Sequence, residues 1–214
     1  MQSIKILEMI QQGRIEELEE QLRDEIYQDE LKKKPGAKQR YSAMKKYFSY
    51  VKTSRAICQK PKDIEFEGYE MTSFCNSYSL ALTKESCGSI KLFTDDDGTY
   101  PDVGRMIKRG GKALMVDLGS VIAEAKSKGY KLTKSEVNGG EKFIIRHNGT
   151  YYRLGLIDIT YSIINNGGDA MVYHSGEKFS PMTIENDIGV CLVLPVKIEE
   201  ERIINENITV IDLI

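Results

Sequence analysis

Few residues of this 214-residue chain have the chemistry and the spacing of a metal site. Zinc sites in small domains depend on closely spaced cysteine and histidine ligands. The chain has two histidines, and its four cysteines form no C-x-x-C pair. They are His147, His174, Cys58, Cys75, Cys87 and Cys191. We therefore predict reduced structural thiols and no bound metal.

A run of carboxylates near the middle of the chain is the other candidate for cation binding. Segment 94–102, TDDDGTYPD, contains Asp95, Asp96, Asp97 and Asp102. Its glycine, Gly98, comes too early for the calcium-loop pattern, and Asp and Gly are common in solvated turns. The pattern favours a turn over a Mg²⁺ or Ca²⁺ site.

Motifs for enzymatic chemistry are also missing from the sequence. There is no G-x-S-x-G, no P-loop and no H-E-x-x-H, and no cysteine stands near a histidine in a nucleophile motif. We predict that the chain is not an enzyme and binds no cofactor.

The overall composition sets limits on the partners and the compartment. Lys and Arg total 30 against 32 Asp and Glu, so DNA binding would need positive charge concentrated on one face. The longest apolar runs, such as 190–196, are too short for a bilayer, and 1–10 lacks the features of a signal peptide. We expect a cytoplasmic protein without a membrane partner.

The first part of the chain reads as two helical regions. Residues 4–34 carry apolar residues at helical spacing, and Gly13 divides the region in two. Pro35 and Gly36 end it. The narrow apolar stripe fits packing on the protein core or contact with an oligomer partner; its members are Ile15, Leu18, Leu22 and Ile26. Residues 41–56 form a distinctly basic second helix, with Met44, Phe48 and Val51 on its apolar face.

Strands follow, and the order of elements then repeats. Strands are predicted at 63–74, 78–84 and 89–93, and later at 130–137, 142–149, 150–155, 170–175, 181–186 and 189–198. A strand and helix fill 112–129, with Asp117 or Ser120 as the cap, and a short helix fills 157–166. Turns are predicted at 138–140 and at 148–149. These elements predict an α+β fold in which a βαβββ unit recurs.

Segment 100–107, YPDVGRMI, joins the two sheet-forming parts. A purely flexible linker would be rich in Gly and Ser, whereas Pro101 fixes its own backbone and biases Tyr100 toward extended conformations. The segment is therefore predicted to be a rigid connector. The domain boundaries that follow are a helical segment at 1–37, a first unit at 38–105, a second at 106–199 and a tail at 200–214.

Three short strings carry a resemblance to a known family. They are CNSYSLAL at 75–82, YPDVGRM at 100–106 and CLVLPVKI at 191–198. In order and spacing they resemble the T-D-G-x-R-L-A-L, Y-P-D-x-x-R and V-V-M-P-M-R-L strings of the bacterial DNA polymerase sliding clamp, the β subunit. Domains of that family each contain two βαβββ units, and the resemblance covers about 41–198.

The resemblance implies a groove that receives short apolar peptides from polymerases and other replication proteins. The residues that would form it are Ser77, Tyr78, Ser79, Leu80, Pro101, Arg105, Met106, Val193, Leu194, Pro195, Val196 and Lys197. It also implies non-specific binding of double-stranded DNA through basic helical residues, here Lys45, Lys46, Lys52, Arg55, Lys126, Lys128 and Lys131. A solvated basic face is the alternative for these residues.

Two departures from the family limit what the resemblance implies. The family's Asp-Gly-x-Arg is replaced by Asn76 to Ser79, so the peptide preference does not carry over. The chain is also too short to supply the three domains per chain of a dimeric clamp ring. A homo-oligomer of a shortened relative, of a kind suited to a phage, is one interpretation. A clamp-fold adaptor that binds only protein is the other.

The last residues, 199–214, continue beyond the point where the family ends. Their final apolar segment, VIDLI at 210–214, loosely resembles the peptides that clamps bind. We consider two interpretations: the tail occupies the groove of its own or a neighbouring subunit, or it adds an edge strand to the fold.

Overall fold

Three helices open the chain in a computed structural model, which describes residues 3–51, 61–85 and 102–213. Helix α1 spans Ser3–Gln11, α2 spans Ile15–Leu31 and α3 spans Ala37–Val51. Gly13 separates α1 from α2 as predicted, in a left-handed conformation (φ 68°) that glycine adopts at low cost. Helix α3 begins four residues before the predicted start at 41. The predicted strand at 89–93 and the helix residues after 51 lie outside the described residues.

A seven-stranded antiparallel sheet forms the centre of the fold. Its strands are β1 (Lys62–Phe66), β2 (Tyr69–Cys75), β3 (Ser79–Thr83), β4 (Lys112–Val116), β7 (Ala170–His174), β8 (Met182–Glu185) and β9 (Gly189–Val193). Their order across the sheet is β1-β2-β3-β9-β8-β7-β4. Strands β3 and β9 pair in the middle, with Leu80 opposite Leu192. The sheet therefore runs without a break across the predicted boundary between the two units.

The remaining strands form a second, three-stranded sheet of order β10-β5-β6. Strands β5 (Phe143–His147) and β6 (Thr150–Arg153) form a hairpin whose turn, Asn148-Gly149, has positive φ at both residues, as predicted. The tail forms helix α8 (Glu200–Asn205) and strand β10 (Thr209–Asp212), which pairs in parallel with β5. The interpretation of the tail as an added edge strand is thus confirmed, and it does not lie in a groove of its own chain.

Helices cover one face of the large sheet. They include α3, α5 (Leu118–Ser127) and α7 (Leu154–Tyr161), whose apolar residues join one core with the inward side of the strands. Tyr47 of α3, Phe74 of β2 and Tyr161 of α7 are fully buried in this core. Every residue of α7 is buried, which explains its almost continuous apolar sequence.

A short helix, α4 (Val103–Met106), lies against the opposite face of the sheet. Val103 and Ile107 pack there with Leu80, Leu82 and Leu192 in a second, smaller core. Strand β3 is therefore covered on both faces, and all its residues are buried.

The strand predicted at 130–137 is wrong, since a helix, α6 (Lys134–Asn138), forms there. Thr133 caps it, because its hydroxyl accepts a hydrogen bond from the backbone N–H of Glu136 at 3.2 Å. Gly139 ends it in the left-handed conformation, so no hairpin turn forms at 138–140. The T-x-x-E spacing is a helix start signal, and here it outweighs the local strand pattern.

The single strand predicted at 63–74 is also wrong, since β1 and β2 form a hairpin there with positive φ at Glu67 and Gly68. The other element boundaries differ by a few residues. Asp117 is the N-cap of α5, accepting from the N–H of Ser120 at 3.0 Å. Helix α7 begins at Leu154, three residues before the predicted start, and β9 ends at Val193 instead of 198. The protein is mixed α+β, as predicted.

Candidate functional site

The three strings that resemble the clamp family meet in the structure. Strand β3, which overlaps the first string (75–82), pairs with β9, which overlaps the third string (191–198). The pairing continues past the strand ends, since the N–H of Leu194 donates to the carbonyl of Tyr78 at 2.9 Å. Helix α4 from the second string packs over both strands, with Met106 and Leu194 at the partly buried margin of the smaller core. Segments separated by more than 100 residues of chain thus form one surface.

The turn before β3 is fixed by Asn76, the residue at the position of the family's Asp. Its side-chain oxygen accepts hydrogen bonds from the N–H groups of Tyr78 (2.7 Å) and Ser79 (2.9 Å). Its amide donates to the hydroxyls of Ser79 and Tyr47. This arrangement is an Asx turn closed by a buried polar network, which Asn and Asp both favour at turns.

Helix α4 is held locally by Asp102 and Arg105. The Asp102 carboxylate caps the helix and pairs with the Arg105 guanidinium at 3.1 Å. Both side chains are largely exposed, 62% for Asp102 and 88% for Arg105. The D-x-x-R spacing therefore stabilises the helix end and leaves a guanidinium at the rim of the surface. Pro101 lies outside the described residues.

Burial divides the predicted peptide-binding residues into two groups. Ser79, Leu80 and Val193 are buried in the sheet and have no surface to offer a ligand. The accessible group consists of half-buried Tyr78, Met106, Leu194, Pro195 and Val196, together with exposed Ser77, Arg105 and Lys197. We call this accessible group the connector groove.

Two residues that the sequence did not single out belong to the margin of the connector groove. The Arg153 guanidinium lies 5.5 Å from the ring centre of Tyr78, a cation–π contact. The N–H of Val196 donates to the carbonyl of Tyr151 at 2.8 Å, which ties the groove to β6 of the small sheet. Nothing in the local sequence TYYR signals this role, because it depends on how the two sheets pack.

A buried carboxylate forms an ion pair with the Arg153 guanidinium at this margin. Glu141 is 4% exposed and accepts from Arg153 at 2.7 Å and from Arg202 of α8 at 2.8 Å. Arg153 is thus held in place by an ion pair while its guanidinium covers Tyr78. The tail contributes to the groove indirectly, by anchoring Glu141 through Arg202.

The predicted DNA-binding residues lie on the helical layer, although not all of them are described. Lys45 and Lys46 are exposed on α3, which contains no acidic residue. Lys126 and Lys128 at the end of α5 and Lys131 beyond it are also exposed. Lys128 pairs with Glu124 at 2.6 Å, which halves the net positive charge at this end of α5. Lys52 and Arg55 lie outside the described residues.

A cleft of about 450 Å³ separates α3 from the end of α7 on this same layer. Its floor contains Ala43, Leu132 and Ile159, while its rim contains hydroxyl and amide side chains and a single charged residue, Lys46. Of the predicted DNA-binding residues that the structure describes, Lys46 lines this cleft.

The helical layer also contains a buried acidic residue, Asp158. Asp158 of α7 accepts a hydrogen bond from the Tyr130 hydroxyl at 3.1 Å. Burial raises the pKa of Asp158, and the nearby charge of Lys126 acts in the opposite direction. Both Asp158 and Tyr130 are buried, so the pair fixes the segment after α5 to α7 and offers no surface for a substrate.

Within residues 3–51, 61–85 and 102–213, no group of three or more Cys, His, Asp or Glu side chains is arranged to hold a metal ion. The Asp95 to Asp97 run is not among these residues. In the same part of the chain, no helix is both long enough and apolar enough to span a bilayer.

Comparison with known proteins adds no relative: no family model, no curated protein and no solved structure matches this chain.

Proposed function

We propose that this protein is a shortened, clamp-like accessory factor of DNA replication. It holds double-stranded DNA non-specifically through the basic residues of its helical layer, and it receives short apolar peptides of polymerases or other replication proteins at the connector groove. We infer that a protein with this role acts in the cytoplasm and as a homo-oligomer.

The convergence of the three strings is the observation that carries the proposal. The resemblance implies that residues near 78, 105 and 195 meet at one site, and the pairing of β3 with β9 beneath α4 supports this. The accessible part of that site is apolar with a basic rim, which suits a peptide with an apolar anchor.

The order of elements gives the proposal further support. Helix α3 is followed by the β1-β2-β3 meander, and α7 by the β7-β8-β9 meander. The two meanders meet through their third strands, so the strand order is symmetric about the β3–β9 pair. We interpret them as two clamp-like αβββ repeats, with β4 and α5 added to the second and the small sheet inserted before α7.

Binding of a labelled peptide tests the groove directly. A fluorescent peptide SLSLF is titrated with the wild-type chain and with Met106→Ala, which removes an accessible apolar side chain of the groove. We expect the variant to bind about tenfold more weakly, since an anchoring contact contributes on the order of 1 to 2 kcal/mol. The affinity is measured by fluorescence anisotropy.

A matched control uses Met115→Ala, because Met115 is 67% exposed on the edge strand β4 and lies outside the groove. Its peptide affinity should equal that of the wild type. Equal affinities for all three proteins, or no binding of SLSLF where a clamp of the family binds it, would contradict the proposed groove.

A further inference from the structure

The N-terminal helices present a patch of exposed apolar side chains. Ile4, Leu7 and Ile10 of α1 and Ile15 of α2 are 71%, 58%, 48% and 47% exposed. Ile4, Leu7 and Ile10 follow one another at three-residue spacing and so share one side of α1. We call these four residues the N-terminal patch. Scattered exposed apolar residues are ordinary, but four large ones within twelve residues of chain indicate an interaction site.

The patch is not surface left over from packing between α1 and α2. Met9 of α1 and Leu18 of α2 are only 2% and 6% exposed. The backbone N–H of Arg14 donates to the carbonyl of Met9 at 2.9 Å, which closes the turn between the helices. The two helices thus bury Met9 and Leu18 without covering the four residues of the N-terminal patch.

The charge around the patch comes mainly from carboxylates of α2, since α1 carries one exposed lysine, Lys5, and one exposed glutamate. Glu8 of α1 and Glu16 and Glu19 of α2 are exposed, and Glu19 lies one turn from Ile15 on the same side of α2. Arg14, the basic residue nearest to the turn, is paired with Glu17 at 2.7 Å. The sequence of α2, IEELEEQLRDEIYQDEL, has acidic residues in every turn and one arginine.

The acidic residues of α2 indicate which kind of partner can bind the N-terminal patch. A second copy pairing through the same patch would bring two acidic α2 helices together, and like charges across an interface oppose association. An anionic membrane surface would be repelled, whereas helices that bind membranes carry Lys and Arg beside their apolar face. A basic amphipathic helix complements both the apolar side chains and the carboxylates.

We propose that the N-terminal patch is a docking site for a basic amphipathic helix of a partner protein. Apolar side chains of the partner cover Ile4, Leu7 and Ile10, and its Lys or Arg residues pair with the carboxylates of α2. The residues of the N-terminal patch are distinct from those of the connector groove and from the predicted DNA-binding residues.

A designed peptide of that chemistry tests the proposal on the full chain. Labelled LKKLLKLLKKLLKL is titrated with the wild type and with the triple variant Ile4→Ser, Leu7→Ser, Ile10→Ser. We expect saturable binding to the wild type and affinity at least about tenfold lower for the variant, since several apolar contacts are lost at once. The acidic peptide LEELLELLEELLEL should not bind either protein.

Control variants separate the patch from general attraction to an acidic protein. Ile204→Ser changes an isoleucine that is 75% exposed on α8, far along the chain from the patch, and should leave the peptide affinity unchanged. Glu16→Gln, Glu19→Gln should weaken binding and make it less sensitive to salt. Circular dichroism checks that each variant keeps the helical content of the wild type.

Three results would overturn the proposal. One is equal affinity of the basic peptide for the wild type and the triple serine variant, which would mean that the peptide binds through charge attraction alone. Another is a wild-type dimer that dissociates in the serine variant, since the occupant would then be a second copy. The last is binding to vesicles of phosphatidylcholine and phosphatidylglycerol that the serine variant loses, which would make the occupant a membrane.

Discussion

Arg40 shows how a single buried charge fixes the position of α3. It is 2% exposed, and its guanidinium donates to the Glu85 carboxylate at 2.8 and 2.5 Å, to the carbonyl of Asn165 at 2.9 Å and to that of Pro35 at 3.1 Å. One side chain thereby ties the start of α3 to the end of β3 and to the segment after α7. The orientation of Lys45 and Lys46 depends on this anchor.

Removing Arg40 should therefore destabilise the protein strongly. Arg40→Ala leaves Glu85 buried without its partner, which costs about 3 to 5 kcal/mol of the free energy of unfolding. Urea denaturation followed by circular dichroism measures the loss. The double variant Arg40→Met, Glu85→Met leaves no buried charge and should recover most of it. A single variant as stable as the wild type would show that the pair does not anchor α3.

His174 links stability to pH. It is 2% exposed, its Nδ1 accepts from the N–H of Gly176 at 3.0 Å, and its Nε2 has no hydrogen-bond partner among the described residues. Its ring meets that of His147 edge to face, with 5.5 Å between the centres. Burial, and then the charge of His147, lowers the pKa of His174. The folded protein thus resists protonation of this ring more than the unfolded chain does.

The sign of the effect on stability follows from that shift. The unfolded chain binds a proton at His174 below about pH 6.5, whereas the folded protein does so only at lower pH. Stability should therefore fall as the pH falls from 7.5 to 5.5. His174→Asn keeps an acceptor for Gly176 and removes the titrating group, so its stability should fall less. Urea denaturation at pH 7.5, 6.5 and 5.5 compares the two, and parallel declines would exclude His174 as the cause.

The tail contributes to the core more than an edge strand usually does. Ile211 and Leu213 are 5% and 7% exposed and belong to the main core, and Arg146 of β5 pairs with Asp212 at 2.6 Å. The tail is thus part of the fold, and a truncation meant to free a groove would remove core residues instead.

A pair of isoleucine variants tests this role of the tail. Ile211→Ala should lower the free energy of unfolding by about 2 to 4 kcal/mol, since it leaves a cavity in the core. Ile204→Ala, in the exposed α8, should change it by less than about 0.5 kcal/mol. Urea denaturation gives both values. Similar small losses for the two variants would mean that β10 is only loosely attached.

Local signals account for the elements that the sequence predicted well. The Asn148-Gly149 turn, the Asp117 cap and the breaks at Gly13 and Gly36 each depend on a few neighbouring residues, and each is found in the structure. Helix α6 was missed because a helix of five residues shows no full apolar period, and only the Thr133 cap marks it.

Long-range packing accounts for what the sequence could not predict. The separation of β5 and β6 from the large sheet depends on β10, which lies some 60 residues later in the chain. Burial of Ser79, Leu80 and Val193 and the contact between Arg153 and Tyr78 depend on the same packing. The strings could therefore predict which segments meet, but not which side chains stay accessible.

At the scale of the whole molecule, the basic helical layer and α4 cover opposite faces of the large sheet, while the connector groove reaches both, since Tyr78 packs against the main core and Met106 and Leu194 against the smaller one. Helices α3 and α5 cover one face, and α4 covers the other. A clamp-like protein with this arrangement would hold DNA at α3 and α5 and bind a peptide beside α4. An adaptor needs only the groove.

Retention on DNA separates these two possibilities. We expect the protein to stay on a circular plasmid during gel filtration and to leave it after a restriction enzyme makes the plasmid linear. Lys45→Gln, Lys46→Gln should weaken binding and reduce the slope of log affinity against log salt by about 1.8, for two lost phosphate contacts. Lys112→Gln, Lys178→Gln, exposed on β4 and the β7–β8 loop, serve as the control. No retention on either DNA form would favour the adaptor.

The central β3–β9 pair also determines when the protein can fold. Leu80 can pair only after Leu192 has been synthesised. One edge of β3 in the β1-β2-β3 meander therefore stays unpaired while more than 100 further residues are added to the chain. An apolar strand with an open edge is a site for wrong pairing with other chains. Until β9 has been synthesised, a chaperone that covers this edge of β3 would therefore favour the native sheet over aggregation.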